Sequence, residues 1–340
     1  MKNLLLISFM LSIAFTADAQ IFYNETKTDA EHSEREMKVN QKRIRDNHIR
    51  QVKIYRYKSD TASQGRLGEL SIYDERGRIT EFKGYKNSGK MKQHYTYKYD
   101  GSDRMLEIAY HRRNGTLQDE YQYVFDAAGN ETEVREYYQP AVFGKKEKLG
   151  WRSAARFDDQ RNILEMKYFF SEGEQKLFDR YEFTYYPDGS KKQTVEYNKK
   201  GKARHKWNYD CNPSGAETMN LKDTSKICVR YETDKDGNKI RVKEEIVKYG
   251  KVARIVSKYD KNDNVLDVIQ YDSKGRARSS ESNTYDVKDN RTGFVLFKRN
   301  SNEIKERYVY DYDSSGNMTD IIAYKSSSSP DRIMKFRYEK

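Results

Sequence analysis

Aromatic and polar residues alternate along short stretches of this chain. Tyr95, Tyr97 and Tyr99 alternate with His94, Thr96 and Lys98. The same step of two carries Tyr121, Tyr123 and Phe125, then Tyr181, Phe183 and Tyr185, then His205, Trp207 and Tyr209, then Tyr308, Tyr310 and Tyr312. A period of two puts one set of side chains on one face of a β-strand and the other set on the opposite face. Aromatic residues suit a half-buried pleated surface, and rings at matching positions of neighbouring strands pair across the sheet.

Each stretch ends in a turn signal. Tyr73-Asp74 leads to Gly77, Phe125-Asp126 to Gly129, Tyr271-Asp272 to Gly275 and Tyr312-Asp313 to Gly316. Looser copies start at Tyr99-Asp100, Phe157-Asp158, Tyr185, Tyr209-Asp210, Tyr231, Tyr259-Asp260 and Tyr285-Asp286. The aspartate can hydrogen-bond the backbone two residues on, and glycine supplies the positive φ of a tight hairpin. Asn162, Asn264 and Asn290 are expected to fill that role where glycine is missing. A plainer turn follows in each unit, as from Tyr85 to Gly89, Tyr110 to Asn114-Gly115 and Tyr197 to Gly201.

A unit of roughly 22 to 32 residues is thus strand-turn-strand-turn, and about ten units give some twenty antiparallel strands in one meander. The predicted fold is all-β: tandem hairpin repeats over residues 50–340, forming a long sheet that curls to hide its aromatic face. Val52 to Tyr57 reads as the first strand and Ile333 to Tyr338 as the last. Residues 20–49 read as a charged helical cap, Asp29 to Asn47, shielding the edge of the first strand.

The start of the chain reads as an address. Lys2, the apolar run Leu4 to Phe15 and the small residues Ala17 and Ala19 predict a cleaved signal peptide over 1–19, and hence an exported protein, periplasmic or extracellular. No cysteine near the cleavage point suggests a lipid anchor, and no later run suggests a membrane span. A chain that is 36% hydrophobic and 35% charged leans toward disorder, but 29 tyrosines supply the missing core area. The net charge of +12 raises anionic glycans as partners. Lysine and arginine spread over a solvated face, among interspersed acids, explain that charge equally well.

Cys211 and Cys228 fall in one repeat and form a candidate disulfide. On first and third strands they would stand about 9–10 Å apart, beyond the reach of a bridge, unless Cys211 curls back from its turn.

The tandem Tyr-Asp-x-x-Gly-Asn/Arg series, in Tyr73 to Ile79, Tyr271 to Arg276 and Tyr312 to Met318, resembles the RHS/YD repeat. The resemblance covers residues 50–340, and the signal ending in Ala17-Asp18-Ala19-Gln20 and the modest length look more like small exported repeat proteins of Bacteroidetes-type bacteria. It implies a coiled ribbon of antiparallel strands, of the kind that closes into a hollow cocoon in large toxin shells. The chain departs from the pattern at Tyr186, at Pro213, and at Glu281 and Asn283, which stand where rings are expected. None of its four prolines lies in the Asp-Pro-x-Gly setting of self-cleaving shells.

Catalytic signals are weak. His32, His48, His94, His111 and His205 show no zinc spacing, and Asp234 to Asn238 starts like a calcium loop but lacks the later bidentate glutamate. The expectation is a non-catalytic binding or scaffold protein of the cell envelope, without cofactor or metal and without a nucleic-acid partner. Tyr123, Tyr181, Tyr185, Trp207 and Tyr310 are the candidate rings for a glycan or another anionic polymer. The rival expectation is a module that docks another envelope protein through its edges or its helix. A carbohydrate-active enzyme is the remote third.

Overall fold

The computed structural model describes residues 27–57, 64–138, 148–170, 176–187, 191–208, 224–233, 237, 239–246, 254–325 and 329–340. The signal-peptide and disulfide readings, at 1–19, Cys211 and Cys228, fall on residues or side chains outside that description. Among the described residues, a helix, α1 (Lys27–Asp46), precedes the strands β1 (Gln51–Tyr57), β2 (Arg66–Tyr73), β3 (Ile79–Tyr85), β4 (Met91–Tyr99), β5 (Met105–His111), β6 (Leu117–Phe125) and β7 (Glu131–Tyr138). There follow β8 (Lys148–Phe157), β9 (Ile163–Phe170), β10 (Lys176–Tyr185), β11 (Lys191–Asn198), β12 (Ala203–Asn208), β13 (Thr224–Thr233) and β14 (Lys239–Ile246). The last are β15 (Arg254–Tyr259), β16 (Val265–Tyr271), β17 (Ala277–Tyr285), β18 (Arg291–Phe297), β19 (Ile304–Tyr312), β20 (Met318–Lys325) and β21 (Pro330–Glu339). The fold is all-β and antiparallel, built from tandem hairpins, as the alternation predicts.

The chain divides into two compact units. Unit 1 holds residues 1–42 and 93–207, and unit 2 holds 43–92 and 208–340. In unit 1 the strands from β4 to β11 pair strictly in chain order. In unit 2 the run from β13 to β21 also pairs in order. It then departs from the single meander expected: β21 lies beside β1, which in turn pairs with β2. The first strand therefore has no free edge for α1 to shield. Pairing the two ends of the array satisfies both rows of backbone groups directly, which a helix packed alongside cannot do. Arg43 of α1 instead donates to the carbonyl of Gly316 in the last Asp-Gly turn.

The turns explain the repeat. In the Asp272 turn, Oδ1 accepts from the backbone N–H of Lys274 and of Arg276, and Oδ2 accepts from Arg276 Nε at 3.0 Å. Asp74 and Asp100 do the same with Arg78 and Arg104, while Asp158, Asp260 and Asp286 use an asparagine as the reciprocal donor. Asp126 and Asp313 accept from the N–H and Nδ2 of Asn130 and Asn317. Gly77, Gly129, Gly275 and Gly316 hold the positive φ before that donor. Where glycine is missing, the left-handed residue is Asp103 (65°), Arg161 (67°), Asp263 (65°) or Asp289 (61°). Asn162, Asn264 and Asn290 thus follow the left-handed position, where their side chains reach the aspartate.

A bulge falls at the aromatic residue before each of these turns, as at Ile72/Tyr73, Val124/Phe125, Thr284/Tyr285 and Asp311/Tyr312. The tyrosine hydroxyl then reaches back one repeat. Tyr185 donates to the carbonyl of Ile163 at 2.9 Å, Tyr285 to Val265 at 3.1 Å, Tyr312 to Arg291 at 2.9 Å and Tyr338 to Met318 at 2.7 Å. Each acceptor is the residue directly after the asparagine that completes the preceding turn. The hydroxyl, and not only the ring, ties one repeat to the next.

The backbone N–H groups and Arg276 hold the Asp272 carboxyl down at about 2, from its ordinary 3.8. A depressed folded value contributes stability above the unfolded value and loses it as pH falls through the folded one. The thermal midpoint is therefore expected to fall between about pH 4 and pH 2. Asp272→Asn should reduce the steepness of that fall and lower the neutral midpoint modestly, because the amide keeps the two backbone contacts that Asn198 makes but cannot accept from Arg276. An acid profile identical to wild type would show that the turn carboxylate is not responsible.

Candidate functional site

The strands of unit 1 carry two unlike faces. On one, the cross-strand register brings Tyr95 against Tyr110, Tyr110 against Asp119, Tyr121 against Glu136, Glu136 against Trp151, and Tyr181 against Glu196. Ring centroids are 5.0 Å apart for Tyr95 and Tyr110, 6.3 Å for Tyr121 and Trp151, 6.3 Å for Trp151 and Tyr168, and 5.9 Å for Tyr168 and Tyr181. Tyr121, Trp151 and Tyr168 are half-buried and keep ring surface open. Asp119 and Glu136 stand among them.

Local chain geometry aims this row. The β7–β8 register shifts between Glu136 and Tyr137, and such a bulge redirects a side chain. Beside Trp151, a Cβ on Gly150 would meet Glu136 Oε2 at 2.9 Å, so the missing side chain leaves room for that carboxylate. Tyr121 donates its hydroxyl to Glu136 Oε1 at 2.7 Å. Gln118 Nε2 donates to Asp119 Oδ2 at 3.1 Å. Burial pushes the carboxyls of Asp119 and Glu136 above their ordinary values, and it acts the same way on Asp179 and Glu196. The latter two are held by Arg204, whose Nη1 lies 3.0 Å from Asp179 and 3.2 Å from Glu196.

The opposite face carries arginines that pair with acids or stack on rings. Glu133 pairs with Arg135 at 2.9 Å and Arg152 at 3.3 Å, and Glu165 with Lys167 at 2.8 Å. Arg152 stacks over Phe169 at 4.5 Å and Arg180 over Tyr197 at 4.3 Å, each directly across the ladder. Such exposed pairs add little stability singly. They do neutralise part of the positive charge along these strands.

The rings expected from the sequence land unevenly. Tyr181 (4% exposed), Trp207 (8%) and Tyr310 (3%) are core residues, which corrects their reading as stacking platforms: their faces already meet protein. Trp207 packs edge-on against His205 at 4.2 Å. Tyr185 is half-buried and spends its hydroxyl on Ile163. Tyr123 is half-buried on the aromatic face, where burial raises its hydroxyl's pKa. Trp151, Tyr168, Asp119 and Glu136 are absent from that expectation. The parity of Trp151, Ser153, Ala155 and Phe157 was the available signal for Trp151. Asp119 shares the parity of Tyr121 and Tyr123, which was its signal, whereas Glu136 carried none, since the bulge at Phe125 resets the parity of the following strand. The structure also brings His94 and His111 together, with ring centroids 4.7 Å apart and His111 Nε2 3.0 Å from Thr96 Oγ1. Among the described residues no group of three or more His, Cys, Asp or Glu is placed to hold a metal ion. No described helix is long and apolar enough to cross a membrane.

No protein-family profile matches the chain. No curated protein matches it either. Among solved structures it is similar to TcdB2-TccC3, at 12% identity and a TM-score of 0.39, covering 80% of this chain and 16% of that one. The Photorhabdus luminescens Tc holotoxin pore gives 10% identity, a TM-score of 0.29 and coverage of 80% and 17%. A porin-like protein from Bacteroides uniformis gives 9% identity, a TM-score of 0.31 and coverage of 86% and 98%. The chain therefore spans only about one-sixth of the toxin chains it matches. Likenesses this loose say nothing of what the chain does.

Proposed function

We propose that this chain is a non-catalytic glycan-binding protein of the cell envelope, taking a neutral oligosaccharide along the aromatic row of unit 1. The line of half-buried rings at Tyr121, Trp151 and Tyr168, flanked by the carboxylates of Asp119 and Glu136, carries this reading. Aromatic faces stack on the apolar faces of sugar rings, and carboxyl groups beside them accept hydroxyl hydrogen bonds. A neutral polymer fits better than the anionic one suggested by net charge, because the acids share the row and Arg135 and Arg152 of the other face are already paired with Glu133.

Tryptophan fluorescence tests the reading, since Trp151 is half-exposed and Trp207 is buried. A panel of neutral oligosaccharides should include one that shifts the emission. Trp151→Ala should weaken its binding at least about tenfold, the value of roughly 1.4 kcal/mol. A panel without any response, or binding that survives the substitution, would sink the proposal.

The docking alternative rests on α1, where Met37 is 41% and Val39 52% exposed. Deleting residues 20–48 separates the two, because glycan binding should survive and docking through the helix should not.

A further inference from the structure

In unit 2 the aromatic alternation is interrupted on β17. Glu281 and Asn283 share a face with Tyr285 and stand where rings are expected. Asn283 is 5% exposed and lies across from Phe294, which lies across from Tyr308. Its Oδ1 is buried without a hydrogen-bond partner. A desolvated acceptor with no donor costs stability, and an apolar side chain of similar size would avoid that cost. Such a group calls for an explanation, and a donor supplied from outside the chain is one.

The neighbours supply the rest. Arg291, which pairs with Tyr285 across the ladder, holds its guanidinium 5.8 Å from the Phe294 centroid and 5.9 Å from that of Tyr310. Its positive charge also acts on Glu281, whose carboxyl burial pushes upward. Phe294 and Tyr308 meet edge-on at 5.6 Å, and Tyr308 spends its hydroxyl on Glu306 at 2.9 Å. Glu281, Arg291, Phe294 and Tyr308 are all partly exposed and surround the buried Asn283.

We infer that Asn283, Arg291 and Phe294 form a binding site for a hydroxylated carboxylate, the chemistry of a uronic acid. Arg291 takes the carboxylate, since a guanidinium fork matches its two oxygens. A ligand hydroxyl donates to Asn283 Oδ1, and the sugar face rests on Phe294. The site does not depend on the reading of unit 1.

Calorimetry on the protein with sodium glucuronate, glucose and acetate tests this. Glucuronate should bind at least about tenfold more tightly than either glucose, which lacks the carboxylate, or acetate, which lacks the hydroxyls. Asn283→Leu should abolish the glucuronate response while raising the thermal midpoint, a combination that a purely structural asparagine would not give. Arg291→Lys, which keeps the charge and loses the fork, should weaken glucuronate without lowering the midpoint sharply. Trp151→Ala should leave glucuronate binding unchanged. A uronate tetrasaccharide binding more tightly than the monomer would assign the ligand to a polysaccharide, and the reverse to a free sugar acid, both consistent with the site. No binding of glucuronate by the wild type, equal binding of glucose or acetate, or full retention in Asn283→Leu would overturn it.

Discussion

Ending the chain before β21 is expected to abolish the cooperative unfolding of unit 2. β21 pairs with β1 from Gln51 to Tyr57 and with β20 from Asp320 to Tyr324, so its removal opens two strand edges at once. Ile333 (6% exposed) would be lost, and Val52 (7%), Ile54 (3%) and Ile321 (2%) would lose cover. The Lys53–Glu339 ion pair at 2.6 Å and the Tyr338 hydroxyl bond to Met318 would go with them. One large buried aliphatic residue alone is worth about 2–5 kcal/mol. The total is thus on the order of the whole stability of an ordinary domain. Thermal unfolding followed by circular dichroism should show the loss, with dye binding to the exposed apolar surface. A peptide of residues 330–340 added in trans should restore part of the transition by strand addition. A truncated chain that melts at the wild-type midpoint would show that the pairing of the chain ends contributes nothing.

Replacing Tyr285, Tyr312 and Tyr338 together by phenylalanine is expected to destabilise unit 2 by about 3 kcal/mol. Each hydroxyl donates to a backbone carbonyl of the preceding repeat, and the net value of such a bond is about 1 kcal/mol. The three bonds join different carbonyls, so their losses should add approximately. Rings, packing and turn residues stay as they are, which makes this a test of the oxygen atom alone. Denaturant unfolding with an unchanged slope and a lower midpoint is the expected result. An unchanged midpoint would mean that tyrosine serves the repeat only as an aromatic ring.

Much of the fold was legible because it is local. Alternation at Tyr95 to Tyr99 or Tyr308 to Tyr312 dictates a strand with two unlike faces, and Asp272 with Gly275 dictates a hairpin. Both signals act within a few residues, where backbone geometry leaves few choices. The roles of Asn162, Asn264 and Asn290 were misplaced because type alone suits asparagine to a left-handed backbone. Only the geometry shows that the amide is wanted for its side-chain bond to the aspartate. The candidate site was much less legible. Tyr181, Trp207 and Tyr310 share parity with open rings such as Tyr121 but are covered, and coverage is not a property of parity.

The sequence by itself determined the strands, the turn chemistry and the hairpin repeat, since each rests on contacts between residues close in the chain. The tertiary structure alone decided which aromatic rings stay open, how Glu136 comes to stand beside Trp151, and that β1 pairs with β21. Those outcomes follow from bulges that shift the register one residue at a time, and from hydrogen bonds between chain ends whose partners carry no mark of each other.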